Sequence, residues 1–219
     1  MKITFFGAPG SGKGTYASRA SKILGIPHIS TGDIFREHVA KETELGKKIK
    51  PILEKGELVP DEIVIEITKQ RLSQEDCKNG FILDGMPRTL NQAKALDEFA
   101  KIDKALNIEV PEEVIIRRLS SRRICPNCGA VYNILTLKPK VEGICDKCGA
   151  KLIQREDDKE EAIRKRLEKY RETAQEVLDY YKKDGRLYTV EWKKELVPEG
   201  EIDIPIEVML EKIIRIIKE

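Results

Sequence analysis

A short β-branched and aromatic run, Lys2-Ile3-Thr4-Phe5-Phe6, ends abruptly at Gly7-Ala8-Pro9-Gly10-Ser11-Gly12-Lys13-Gly14-Thr15 and gives way to helix-compatible residues as far as Leu24. Strand, glycine loop and helix in that order confine the chain to an α/β sheet whose first strand delivers an anion-binding turn. The glycines let backbone N–H groups converge on phosphate oxygens, and the helix N-terminus adds its dipole. Lys13 supplies a mobile point charge aimed at the β- and γ-phosphates. Gly10, Ser11, Gly12, Lys13, Gly14 and Thr15 are therefore candidate nucleotide-binding residues. One departure matters: the position after the lysine, where a hydroxyl ordinarily binds Mg²⁺, is Gly14, and the hydroxyl arrives one residue later at Thr15. A Mg²⁺ ion is expected to ride on phosphate oxygens and waters, because it dehydrates reluctantly. Asp84, at the end of the apolar run Phe81–Leu83, is the candidate to hold those waters.

Downstream, apolar runs near Pro27–Ile29, Phe81–Leu83, Lys104–Glu109 and Leu187–Glu191 alternate with amphipathic segments at Asp61–Leu72, Asn91–Ala100 and Lys159–Lys183. Such alternation predicts a P-loop NTPase-type parallel sheet wrapped by helices, with residues 205–219 as a closing amphipathic helix. No apolar run approaches the ~20 residues of a membrane span, and no secretory cleavage pattern follows the N-terminus, so a cytoplasmic location is expected. The 40 Lys+Arg nearly cancel the 38 Asp+Glu. A wholesale polyanion binder is not indicated, and phosphate-seeking must be local.

Reduced thiols are the rule in that compartment, so two Cys-x-x-Cys hooks, Cys125/Cys128 and Cys145/Cys148, favour metal over disulfides. Four thiolates make a closed structural site, with Zn²⁺ expected and iron or cobalt also compatible. Cys77 reads as an inert thiol. Zinc ribbons also bind nucleic acid, which makes an NTP-driven nucleic-acid switch the alternative function. The insert offers a single aromatic, Tyr132, and so a poor base-stacking platform.

Six motifs, "GAPGSGKGT", "STGDIFR", "KGELVPDE", "DGMPRT", "SRRICPNCGAVY" and "REDDKEEAIRKRL", resemble the adenylate kinase family of nucleoside monophosphate kinases, in that family's order over most of the chain. The four-cysteine insert resembles the zinc-bearing lid of its long forms. Met86 stands where that signature commonly has Phe or Tyr, and the chain after Glu195 matches only loosely. The resemblance implies transfer of phosphate from MgATP to AMP giving two ADP, with a kinase for another monophosphate as the runner-up. It implies three parts: a core of residues 1–29, 60–120 and 159–219, a helical AMP-binding insert at 30–59, and a metal-binding lid at 121–158. A monomer is expected, with neither nucleic acid nor membrane as partner.

By the same resemblance Arg122 contacts ATP, Arg155 and Arg166 bridge both substrates, and Arg118 lies against the ATP base or phosphates. Val131 and Tyr132 flank the ATP nucleoside. On the acceptor side the implied residues are Thr31, Arg36, the backbone of Glu57, Leu58 and Val59, and the turn Gly85, Met86, Pro87 and Arg88. Gln92 is implied to read adenine, since a carboxamide can donate and accept on one edge. Thr89 to Gln92 also fits a capping box, in which Gln92 only closes a helix start. Arg118 and Arg122, four apart, are expected on one face of a helix ending near the insert. Asp157 and Asp158 are expected to cap the following helix and hold the lid arginine in place, with capping alone as the alternative. The candidate catalytic set is Lys13, Asp84, Arg88, Arg122, Arg155 and Arg166, with no general base, because the acceptor phosphate is already ionised.

Overall fold

The computed structural model describes residues 1–219. Five parallel strands form the sheet: β1 (Lys2–Phe6), β2 (His28–Ser30), β3 (Phe81–Asp84), β4 (Lys104–Glu109) and, in chain order after a lid hairpin of β5 (Arg122–Ile124) and β6 (Val131–Asn133), β7 (Leu187–Glu191). The order across the sheet is β2-β3-β1-β4-β7. Every β3 residue is buried, as are four of five in β1. That is why these strands read as unbroken apolar runs: helices cover both faces of a parallel sheet.

Side chains alternate between two cores. Phe6, Phe81, Leu83 and Ala105 join a core on one face with Leu96 of α5 (Leu90–Ala100) and Val177 and Tyr181 of α7 (Glu160–Lys183). Ile3, Phe5, Ile82, Leu106 and Ile108 join the other, with Ala17 and Ala20 of α1 (Lys13–Leu24) and Met209, Ile213 and Ile217 of α8 (Ile206–Lys218). The period-two pattern of a strand thus splits each run between opposite faces.

Between β2 and β3 the chain forms α2 (Thr31–Ala40), α3 (Glu44–Glu54) and α4 (Asp61–Leu72). Their starts follow from local chemistry. Ser30 accepts from the Asp33 N–H at 3.2 Å and Thr43 from the Gly46 N–H at 3.0 Å, while α4 opens behind Pro60 with Asp61 and Glu62 in its first turn.

The predicted strands and helices appear with small shifts: β2 lies one residue later than expected because Ser30 pairs with Asp84. The shared helix for Arg118 and Arg122 does not exist. Helix α6 (Glu112–Ser120) stops because the Ser121 hydroxyl turns back onto the Arg117 carbonyl, and Asn133 Nδ2 donates to the Arg118 carbonyl at 3.1 Å. Arg122 then enters β5, paired with Asn133 of β6. The lid keeps a small core of its own, Cys125, Ala130, Tyr132, Cys145 and Leu152. No helix is long and apolar enough to cross a membrane.

Candidate functional site

The glycine loop lies at the C-terminal edge of the sheet, between β1 and α1. Gly7 has φ 142°, and a Cβ there would sit 2.6 Å from the Ile108 carbonyl oxygen, so the loop can turn this close to β4 only with glycine. The Ser11 N–H donates to the Ala8 carbonyl at 3.0 Å, and Ser11 Oγ is buried without a hydrogen-bond partner. Lys13 folds back to 3.4 Å from the Ala8 carbonyl.

Burial holds the Lys13 ammonium down at about 8, with Asp84 pulling it up and Arg88, Arg166 and Arg122 pushing it further down. Asp84 reaches this spot from the end of β3, with one carboxylate oxygen 3.7 Å from His28 Nε2 and the other buried and unpartnered. Burial alone would raise the Asp84 carboxyl, but His28, Lys13 and Arg88 outweigh it and hold it below the usual range. A Cβ added to Gly14 would stand 3.0 Å from Asp84 Oδ2. That contact is tight, so a Ser or Thr at position 14 would have to push the carboxylate aside by a few tenths of an ångström.

Four further cations arrive from separate parts of the chain. Arg88, after β3, is exposed and donates through Nε to the Gly85 carbonyl at 2.9 Å. Arg122, at the lid's entry, donates through Nε to Asp158 Oδ2 at 2.8 Å. Arg166 of α7 lies 2.9 Å from Asp157 Oδ2 and 3.7 Å from Asp158 Oδ1. Arg155, at the lid's exit, has a buried Nε without a partner. Burial pushes Arg155 and Arg166 down to about 10, and neighbouring arginines push the same way: Arg36 and Arg122 on Arg155, Arg122 and Arg88 on Arg166. Both remain cations at neutral pH. Asp157 would be raised by burial, but Arg166, Arg122 and Arg155 hold it below its ordinary value.

Asp157 and Asp158 are not caps. Helix α7 starts behind Lys159 with no side-chain cap, and the fully buried Asp158 side chain serves Arg122 and Arg166 instead. Arg118 has tertiary partners on two sides: Nε and NH2 donate to the Asp203 carboxylate at 2.6 and 2.7 Å, and NH1 to the Ser11 carbonyl at 3.0 Å. It thus ties the glycine loop to the chain beyond Glu195, a link of 85 residues that local pattern does not reveal. Tyr132 belongs to the lid core. Its side chain is buried in the lid core, where the hydroxyl lies 3.5 Å from Cys145 Sγ and accepts the Asp146 N–H at 2.8 Å, while Val131 is exposed.

Beside the glycine loop an open cleft is lined by Lys13, Leu58, Gly85, Pro87, Arg88 and Arg166. Lys169, Tyr170 and Thr173 of α7 also line it, residues that no motif in the chain singles out. Thr31 is buried, with its hydroxyl donating to the Asp84 carbonyl at 3.4 Å. Met86 is buried beneath the turn, its carbonyl accepting from Thr4 Oγ1 at 2.8 Å. Val59 is buried in the core, Glu57 accepts from Lys165 Nζ at 2.8 Å, and Arg36 pairs with Asp33. Gln92 is 1% exposed. Thr89 accepts the Gln92 N–H at 3.2 Å as a cap should, but the reciprocal half of a capping box is absent: Gln92 Oε1 accepts the Arg88 N–H at 2.8 Å and Nε2 donates to Asp61 at 2.7 Å.

The four lid thiols fit a metal. Cys125 and Cys148 Sγ are 3.3 Å apart, Cys128 and Cys145 Sγ 3.5 Å, and all four lie within 4.8 Å of one another. A tetrahedral zinc with ~2.3 Å bonds needs sulfurs ~3.8 Å apart. A disulfide needs ~2.05 Å, so these are separate thiols gathered around one point. Cys77, in contrast, is buried beside Arg71 and Asp76, and burial raises its pKa, as suits an inert thiol.

Comparison with known proteins agrees with this arrangement. The family model described as "Adenylate kinase" matches residues 5–186. The chain is 58% identical over 201 residues to an adenylate kinase of Caldicellulosiruptor bescii, covering 90% of this chain and 94% of that one. It is 57% identical over 195 residues to one from Thermosipho africanus, covering 87% and 91%. It is 54% identical over 218 residues to one from Archaeoglobus fulgidus, covering 97% and 99%. The chain belongs to the adenylate kinase family.

Proposed function

We propose that the protein catalyses reversible transfer of the γ-phosphoryl group of MgATP to AMP, giving two ADP. The observation that carries this reading is the crowding of Arg88, Arg122 and Arg166 with Asp84 around Lys13, where burial and the neighbouring cations pull the Lys13 pKa down to about 8. Cations held this way are short of negative charge, and two facing polyphosphate chains would supply it.

Residues 1–29, 60–120 and 159–219 serve as the core, 30–59 as the AMP-binding insert and 121–158 as the lid. The loop from Gly10 to Thr15 cradles the ATP phosphates and Lys13 follows the transferring group. Arg36 and Arg88 hold the AMP phosphate. Arg122, Arg155 and Arg166, oriented by Asp157 and Asp158, neutralise charge that spreads over the phosphoryl oxygens in the transition state. Asp84 orients the waters of Mg²⁺, which when bound with ATP neutralises its phosphates. A zinc ion on Cys125, Cys128, Cys145 and Cys148 supplies shape rather than chemistry, because four thiolates leave no open position. Closure of the lid excludes water and so suppresses ATP hydrolysis. The burial of Tyr132, the lid's single aromatic, weighs against a nucleic-acid role.

An enzyme-linked assay of ADP formation from MgATP with AMP, GMP, UMP or CMP tests the reading. ADP formation fastest with AMP is expected. Preference for another acceptor would replace the substrate, and salt-sensitive nucleic-acid retention without ADP formation would replace the function.

A further inference from the structure

The buried carboxamide of Gln92 has neighbours of fixed character on both of its ends. Asp61, the first residue of α4, places Oδ1 2.7 Å from Gln92 Nε2, and a carboxylate can only accept. The backbone N–H of Arg88 lies 2.8 Å from Gln92 Oε1 and can only donate. Turning the amide over would set oxygen against oxygen and N–H against N–H at a residue that is 1% exposed. Asp61 is itself held: its Oδ2 accepts from Thr89 Oγ1 at 2.8 Å and from Asn91 Nδ2 at 3.0 Å, both at the start of the helix that carries Gln92. These bonds leave Gln92 one spare N–H and one spare lone pair.

We propose that Asp61 is a specificity-positioning residue: its carboxylate locks the Gln92 amide in a single orientation, which suits a 6-aminopurine acceptor and rejects a 6-oxopurine. An adenine edge offers a donor at the 6-amino group and an acceptor at N1, whereas hypoxanthine and guanine offer the reverse pair. An amide free to turn over could serve either edge. A pinned one meets a 6-oxopurine in the same pose with acceptor facing acceptor and donor facing donor. Discrimination comes from the carboxylate behind the reading group, which need not touch the base. The inference rests on the proposal that Gln92 faces the acceptor base.

The test compares kcat/KM for AMP and IMP with MgATP in wild type and in the Asp61→Asn, Asp61→Glu and Gln92→Leu variants, with melting curves for each. IMP differs from AMP only at the 6-position and N1. Asparagine can present an N–H to the amide oxygen, which removes one of the two pins, while the Arg88 N–H retains the other. The AMP:IMP ratio is expected to fall roughly tenfold in Asp61→Asn, with an absolute gain in IMP turnover, and to persist in Asp61→Glu. A merely structural role would lower both substrates alike and leave the ratio unmoved. A ratio unchanged in Asp61→Asn but lost in Gln92→Leu would overturn the role of Asp61 and spare that of Gln92. A ratio unchanged in Gln92→Leu would overturn both. Should Asp61→Asn not fold, Asp61→Ser, whose hydroxyl can also donate, is read by the same criteria.

Discussion

Replacing Asp158 with asparagine tests how the arginines are held. The Asp158 side chain is fully buried, accepts from Arg122 Nε and NH2, and lies 3.7 Å from Arg166. Asparagine keeps the shape but removes the charge and turns an amide N–H toward a guanidinium. Removing one partner of a buried pair costs ~3–5 kcal/mol when the other charge stays buried. Here the side chains of Arg122 and Arg166 are each 19% exposed and can swing toward the cleft, so the low end, about 3 kcal/mol, applies. For a chain of this size that lowers the melting temperature by roughly 6–12 °C. Loss of positioning should also lower kcat/KM for ADP formation by ~10²-fold. Saturating ADP should recover part of the melting loss, because its phosphates offer the freed arginines a new partner. A melt shifted by under about 1 °C together with unchanged kcat/KM would refute the reasoning.

Lys13 should report on nucleotide binding through protons. Its folded pKa of about 8 lies below the unfolded 10.5, so its destabilising cost is fully present below pH 8 and fades as pH rises toward 10.5. A bound phosphate reverses the shift. Calorimetry at about pH 9 in buffers of different ionisation heat should therefore show proton uptake on binding ATP, absent in Lys13→Met, whose turnover should fall ~10³-fold. Buffer-independent heats, or uptake retained in Lys13→Met, would contradict this. Stripping the lid metal should lower the melting temperature while the sheet stays folded, because ligation supplies on the order of 10 kcal/mol to a lid with five buried apolar residues. An unchanged melt after metal removal would show that the cysteines are not a staple.

Local chemistry made much of this molecule readable in advance. Helix α4 and strands β4 and β7 fall where periodicity and turn residues placed them, because their burial patterns are simple and their ends are marked by Pro60, Pro111 and Gly185. The glycine loop and the four cysteines were equally plain, since each motif carries its mechanism within a few residues. Long-range partners were hidden. Nothing near Arg118 in the chain announces Asp203, 85 residues away, as its carboxylate partner. Nothing near Gln92 in the chain announces Asp61, 31 residues earlier. The shared helix for Arg118 and Arg122 failed because Ser121 and Asn133 take the last carbonyls of α6, a tertiary termination that helical periodicity cannot register.

A crystal structure with AMP and a non-hydrolysable MgATP analogue bound together tests the central claim most directly. Phosphate oxygens within ~3 Å of Lys13 and of the Arg88, Arg122, Arg155 and Arg166 guanidinium groups are expected, with the two nucleotides meeting end to end above the glycine loop. Those side chains turned to bulk solvent, or the two nucleotides lying apart, would contradict the account.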